Sequence, residues 1–201
     1  KLGENLKLKS KCNIQIAADG SSASGKTTGA RLFSKKYGIK FLSSGLLYRY
    51  SSYLIIKNKP SSERIFLEKK FKKFNLSHLK NKNLHTPEIS ELSSKIAKKK
   101  EIRGILKRFQ KNFVRRNRKV CIEGRDIGTV IMPNADIKFF FTCNLNTAAK
   151  RRFKDLKKKN PKIKFAEVKK AMRIRDNLDR SRRISPLIKP KNAVIVPTDK
   201  L

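Results

Sequence analysis

The sequence has no apolar run long enough to cross a membrane: no stretch approaches the roughly 18 residues that such a helix needs. Its start also lacks the order of basic, apolar and small residues that marks a secretory leader. Neither a membrane protein nor an exported one is expected, and the chain reads as cytoplasmic. It begins at Lys1, not Met, as a partial or trimmed chain would. Cysteine is sparse. Cys12, Cys121 and Cys143 lack the spacing of metal ligands, and two of them stand in apolar, strand-like runs. Reduced, buried, structural thiols are expected, which suits the same compartment. Acidic residues are the largest deficit, with 15 Asp and Glu against 52 Lys and Arg for a net charge of +37. A field of that sign favours anionic partners, nucleotides and nucleic acids among them. The lysines are spread along the chain instead of gathered in one arm. They read as a general enrichment of solvated faces, with any contact to nucleic acid incidental.

What is present is a folded pattern. Apolar residues make up only 38% of the chain, but they stand in short clusters between turn signals, unlike a disordered sequence. A length of 201 residues suits one α/β domain with a moderate core and a small inserted part. There is no internal repeat and no long linker. Residues 13–19 read as a buried strand, followed by a Gly/Ser-rich turn and a helix to about Lys36. A second short strand ends near Ser44, and a helix over 45–56 is broken at Pro60. Residues 61–75 form a basic amphipathic helix with Ile65, Phe66, Phe71 and Phe74 on its apolar side. The polar segment 76–86 carries little signal. Helices are expected over 87–99, 101–117, 146–159 and 165–180, and strands over 119–124, 136–143 and 192–197. Strands that are almost continuously apolar and alternate with helices argue for a parallel sheet covered on both faces.

Gly20-Ser21-Ser22-Ala23-Ser24-Gly25-Lys26-Thr27 matches G-x-x-x-x-G-K-[ST] at every fixed position. A strand precedes it and a helix follows, the context that separates a real phosphate loop from a chance match. The glycines allow the tight path that turns N–H groups inward, and those donors with the helix N-terminus suit a polyphosphate. Lys26 is expected on the β- and γ-phosphates of a nucleoside triphosphate, and Thr27 on Mg²⁺. The motif alone does not name the second substrate.

Three further segments bear on that substrate. In LSSGLLYRY, Ser43, Ser44 and Gly45 start a helix and Arg49 lies one turn in, where a guanidinium can pair with phosphate. In IEGRDIGTVIMP, the run Glu123-Gly124-Arg125-Asp126 follows a strand at its carboxyl end, the edge where open α/β sheets bind ligands. Arg125 offers a fork for phosphate, and Asp126 can accept from an exocyclic amino group. In IRDNLDRSRRISPL, Arg175, Asp179 and Arg182 fall at i, i+4 and i+7 and share one face if the helix continues.

Together these four segments, in this order, resemble the cytidylate kinases of the nucleoside monophosphate kinase group, from about Asn13 to Asp199. The resemblance implies a P-loop kinase fold: a parallel central sheet between helices, an NMP-binding insert and a helical lid. The core would comprise about 12–48, 118–148 and 185–201, the insert 49–117 and the lid 149–184. It implies transfer of the ATP γ-phosphoryl group to CMP or dCMP with Mg²⁺, by a chain expected to be a monomer. Gly20, Ser21, Ser22, Ala23, Ser24, Gly25, Lys26, Thr27, Thr28 and Arg151 would serve ATP. Ser44, Tyr48 and Arg49 would line the CMP site. Ser94 and Arg103, helped by Asp126, would contact cytosine. Arg125 would hold the CMP phosphate, Arg175 and Asp179 the sugar, and Arg182 would approach the phosphates. Lys26, Arg125 and Arg182 would carry the catalysis.

Four departures from the family pattern stand out. The stretch from Tyr48 to Ser94 is short, so the insert's small sheet should be reduced. Glu123 replaces the usual Asp, and Leu178 a common Arg. No closing helix follows the last strand. Other acceptors, such as UMP, AMP or shikimate, remain rivals, as do a basic RNA-binding protein and a P-loop protein without turnover. The cations between Arg151 and Arg182, with Lys157, Lys158 and Lys159 in a row, should repel one another and hold that segment open until nucleotides neutralise them.

Overall fold

The computed structural model describes residues 12–158 and 160–200. Lys159, the third of the expected basic run, lies outside the described residues. Five strands form one parallel sheet in the order β2-β3-β1-β4-β5, with β1 spanning Ile14–Gly20, β2 Lys40–Ser43, β3 Lys119–Gly124, β4 Ile137–Thr142 and β5 Val194–Pro197. The period of two along β1 sends Ile16 and Ala18 to one face and Ala17 to the other. On the first face they meet Ala30 of α1 (Lys26–Lys36), Cys121 and Phe141. On the other face Ala17, Leu42, Val120 and Ile122 pack under α2 (Ser44–Asn58) and the helices beyond it. Burial on both sides explains why these strands lack polar alternation. No helix among the described residues is long and apolar enough to cross a membrane. The three thiols are free, with Cys121 buried and Cys12 and Cys143 half-buried.

Between β2 and β3 the chain is helical throughout. After α2 come α3 (Glu63–Lys72), two short 3₁₀ turns at Leu76–Lys80 and Lys82–His85, α4 (Pro87–Ile96) and α5 (Lys100–Arg115). No strand occurs in this stretch among the described residues, in keeping with the expected reduction. The segment 76–86 had little periodicity because Asn75 and Asn81 cap successive tight turns through their side chains. Tyr50, Phe71, Phe74 and Phe109 close the interior of the stretch, with ring centroids 5.0–6.3 Å apart. Leu106 of α5 is fully buried in the cluster that joins this stretch to the sheet. Leu106→Ala should cost about 2–5 kcal/mol, read as a lower urea midpoint with unchanged slope; an unchanged midpoint would mean that α5 is not docked.

After β3 the chain makes a π-helical turn, Ile127–Ile131, then β4, α6 (Leu145–Lys157), α7 (Phe165–Ser181) and β5. α6 and α7 pack on each other through Ala148, Ala149, Val168 and Met172. The elements follow the sequence reading within a few residues, with two differences. Residues 127–131 carry no regular periodicity because their bonds run from Ile131 to Asp126 and from Met132 to Ile127. α7 ends at Ser181, and Arg182 is extended at φ −63°, ψ 136°, so the helix does not carry Arg182 onto the Arg175 face.

Candidate active site

The phosphate loop lies between the end of β1 and the start of α1. Two positions in it require glycine. A Cβ on Gly20 would fall 2.4 Å from Phe141 O, and Gly25, the residue before α1, has φ 78°. Ala23 is also left-handed, at φ 53°. Ser24 is fully buried and its Oγ donates to Ser21 O at 3.0 Å. Lys26 is buried, and its Nζ donates to the same carbonyl at 3.0 Å. Burial, then Arg125 and Arg175, pull the ammonium down to about 7, against the opposing pull of Glu123. Thr27 is half-buried and Thr28 exposed on the first turn of α1.

Arginines converge on this loop from three elements. Arg125 follows β3. Its Nε donates to Asp179 Oδ2 at 2.8 Å, Nη1 to Gly20 O at 2.7 Å and Nη2 to Ser22 Oγ at 2.9 Å. Arg49, buried in α2, donates through Nη1 to Leu84 O at 2.9 Å and Ser90 Oγ at 2.7 Å. Burial followed by Arg175, Arg152 and Arg125 lowers its pKa to about 9. Arg175 of α7 is lowered to about 10, by burial first and then Arg125, and its buried Nε has no hydrogen-bond partner. Four guanidinium groups, with Arg152 of α6 the fourth, therefore act on one another beside the Lys26 loop, and burial disfavours the charged form of three of them, Arg49, Arg152 and Arg175. Such a cluster is stable once an anion enters it.

A second group sits at the mouth of β3. Asp126, buried, binds Arg103 Nη2 in an ion pair, and Arg182 Nη2 approaches its other oxygen at 3.9 Å. Arg103 also donates to Ala97 O at 3.1 Å and lies over the Tyr48 ring at 5.7 Å. Burial pushes the Tyr48 hydroxyl up to about 12. Arg182, though beyond the helix, folds back to Asp179 Oδ1 at 3.3 Å and Ser185 O at 2.5 Å. Ser44 is buried at the first residue of α2, and Ser94 of α4 turns its hydroxyl onto Ser90 O at 3.2 Å.

The expected repulsion does not hold α7 away. Asp176 Oδ1 accepts from Ser22 N at 2.9 Å and Asp179 pairs with Arg125, so α7 lies on the phosphate loop. Asp176 and Asp179 supply the counter-charge that a count of lysines and arginines overlooks. Arg151 stands apart from the arginine cluster. It donates to Thr198 Oγ1 at 3.1 Å and to the Thr198 carbonyl, and Thr198 Oγ1 in turn bonds Ser24 O at 3.1 Å. Arg151 thus touches the far side of the loop, while its neighbour Arg152 acts on Arg49 and Arg175.

Sequence reasoning passed over Arg152, Asp176, Ser90 and the buried pair of Ser43 Oγ with Glu123. Of these, Asp176 carried a signal, since it lies three residues before Asp179 on the same helix. Ser90 carried none, because its bond to Arg49 joins residues 41 apart.

A family model described as "Cytidylate kinase" matches residues 16–201. The chain is 37% identical over 199 residues to a cytidylate kinase from Thermosipho melanesiensis, covering 93% of this chain and 90% of that protein. It is 36% identical over 193 residues to a cytidylate kinase from Rickettsia rickettsii, covering 94% and 86%. The crystal structure of an uncharacterized protein from Eubacterium ventriosum matches in fold alone, with a TM-score of 0.54 at 13% identity over 94% of this chain and 90% of that one. A family match that begins within β1 and runs through the phosphate loop, both arginine groups and the last strand leaves one assignment: the chain belongs to the cytidylate kinase family.

Proposed function

We propose that the chain phosphorylates CMP or dCMP with ATP, by direct attack of the acceptor phosphate oxygen on the γ-phosphorus. The Arg49–Arg125–Arg152–Arg175 cluster beside Lys26, buried at Arg49 and half-buried at the other three, carries this reading, because it gathers more positive charge than its own carboxylates neutralise. Phosphoryl transfer needs charge stabilisation and alignment more than a protein nucleophile. Lys26 and the loop N–H groups hold the ATP phosphates, with Gly20 to Thr28 as the cradle and Arg151 bracing it through Thr198. Arg49 and Arg125 hold the acceptor phosphate, Arg175 and Asp179 the sugar, and Arg182 the transferring group. Ser44, Tyr48, Ser94, Arg103 and Asp126 form the base pocket. The core, the insert 49–117 and the lid 149–184 divide these tasks, in a cytoplasmic, monomeric chain.

The residues suit a magnesium ion that arrives on the ATP phosphates. No group of three His, Cys, Asp or Glu capable of holding a metal occurs among the described residues. Mg²⁺ keeps waters and phosphate oxygens and asks the protein for only one or two oxygens, and Thr27 with the buried Glu123 offers them. The ion would neutralise charge on the β- and γ-phosphates. The RNA-binding alternative is not favoured: Phe71, Phe74 and Phe109 stack on one another inside the insert, not as platforms for bases.

Release of ADP, measured over CMP, dCMP, UMP and AMP with and without Mg²⁺, tests the proposal. Turnover should be highest with CMP or dCMP and require Mg²⁺; a preference for AMP would overturn it. A second check concerns protons. Lys26 titrates near 7, so at pH 8 it is mostly neutral, and a polyphosphate raises its pKa. Binding of ATP at pH 8 should therefore take up a proton. Calorimetry in two buffers of different ionisation enthalpy should show that uptake, and Lys26→Ala should reduce it. Equal heats in both buffers would mean that Lys26 does not meet the phosphates.

A further inference from the structure

Among the described residues Asp19 makes no side-chain hydrogen bond to the groups assigned to the nucleotides, yet its exposure is 0%. It is the next-to-last residue of β1, level with Gly124 of β3 and Phe140 of β4. No lysine or arginine forms an ion pair with it among the described residues. Its carboxylate is met by peptide dipoles: Oδ1 accepts from Ile127 N at 2.8 Å and Oδ2 from Gly128 N at 2.7 Å. These are donors at the start of the π-helical turn, where helical N–H groups have no partner of their own. Burial pushes the Asp19 carboxyl up to about 6 despite both bonds, so the arrangement is a costly way to end a strand.

The cost is explained by what the turn carries. Arg125 and Asp126 immediately precede the two amides. The next residue of β1, Gly20, accepts from Arg125 Nη1 at 2.7 Å through its carbonyl. Two consecutive residues of β1 therefore grip one short segment from both ends. The side chain of Asp19 holds the backbone at 127 and 128, and the backbone of Gly20 holds the side chain at 125. Asp126 lies between these grips with Arg103 and Arg182 on its carboxylate. Gly128 adds a steric reason for the close fit, since a Cβ there would fall 2.8 Å from Pro190 Cγ and 3.3 Å from Asp19 Oδ2.

We infer that Asp19 is a positioning residue that sets the acceptor-site pair Arg125–Asp126 in register with the phosphate loop. The inference rests on the reading of Arg125 and Asp126 as acceptor-site residues. Asp19→Asn keeps the shape but turns one acceptor into a donor that faces an N–H group, so one of the two bonds is lost. The KM for CMP should rise at least about tenfold, while the Kd for ATP, measured by calorimetry without CMP, should stay within about twofold. In an Arg125→Ala background the same substitution should add little, because both act on one segment. A purely structural role would instead weaken both substrates together and add fully in the double variant, and either result overturns the inference.

If Asp19→Asn does not fold by circular dichroism, Asp19→Ser removes the buried charge and is read in the same way. Failure of both to fold would make Asp19 a folding residue and overturn the positioning role. Arg125→Ala alone separates the two levels. If it leaves CMP use intact, the acceptor-site reading fails; if it impairs CMP use while Asp19→Asn does not, only the inference on Asp19 fails.

Discussion

Lys26→Ala is expected to lower turnover with saturating ATP and CMP by a factor on the order of 10³ or more, the scale seen when a donor to the transferring phosphoryl group is removed. The fold should survive. Lys26 is 7% exposed, and burial holds its ammonium well below the usual lysine range. In the folded chain the charged form is disfavoured, so at neutral pH the residue contributes no stability that its loss would remove. Thermal unfolding by circular dichroism should give a midpoint no lower than that of the parent chain. The hydrogen bond from its side chain to Ser21 O is held in a loop that Ser24 also braces through the same carbonyl. Near-normal turnover would sink the assignment of the phosphate loop as the ATP site.

Asp126→Ala should fail in two ways that can be measured separately. Its carboxylate is the partner of Arg103 and lies near Arg182, and the side chains of all three are under 10% exposed. Removing one member of such a buried group leaves guanidinium charge without compensation and costs about 3–5 kcal/mol. For a chain of this length that is roughly 6–20 °C in melting temperature. On the proposed role of Asp126 as an acceptor for the cytosine amino group, CMP should also lose its advantage over UMP by roughly 5- to 150-fold. Asp126→Asn separates the effects, since an amide keeps an acceptor for Arg103 but not the charge. Equal losses with CMP and UMP would make Asp126 a support for Arg103 and Arg182, with no part in base recognition. An unchanged melting temperature would mean that the ion pairs contribute nothing.

The elements could be read from the sequence because their signals are local. Gly20 and Gly25 around a serine-rich turn, an apolar run before and Lys26-Thr27 after, all fall within fifteen residues, and the structure places strand, loop and helix there. The runs at 119–124 and 136–143 read as buried parallel strands because two covering layers remove polar alternation, and they became β3 and β4. The break at Pro60 followed from a ring that cannot continue a helix, and α2 closes at Lys59 in a left-handed conformation. The π-helical turn at Ile127–Ile131 was not legible, because its bonds depend on amides anchored to Asp19 from 108 and 109 positions away.

The sequence by itself determined the fold class, the phosphate loop and which segments supply the cations, since each rests on spacing within one element. Only the tertiary structure decided which charges meet. Arg151 and Arg152 are neighbours on α6 and point about 100° apart on a helix. One faces Thr198 and the other the arginine cluster because α6 packs on α7 through Ala148 and Ala149. Asp176 reaches Ser22 across 154 positions, and Asp179 reaches Arg125 across 54. Those pairings lay α7 on the phosphate loop where charge counting alone would hold it off. Coulomb interactions act through space, with a strength set by burial and distance. No reading along the chain supplies either quantity until the sheet has brought β1, β3 and α7 to the same edge.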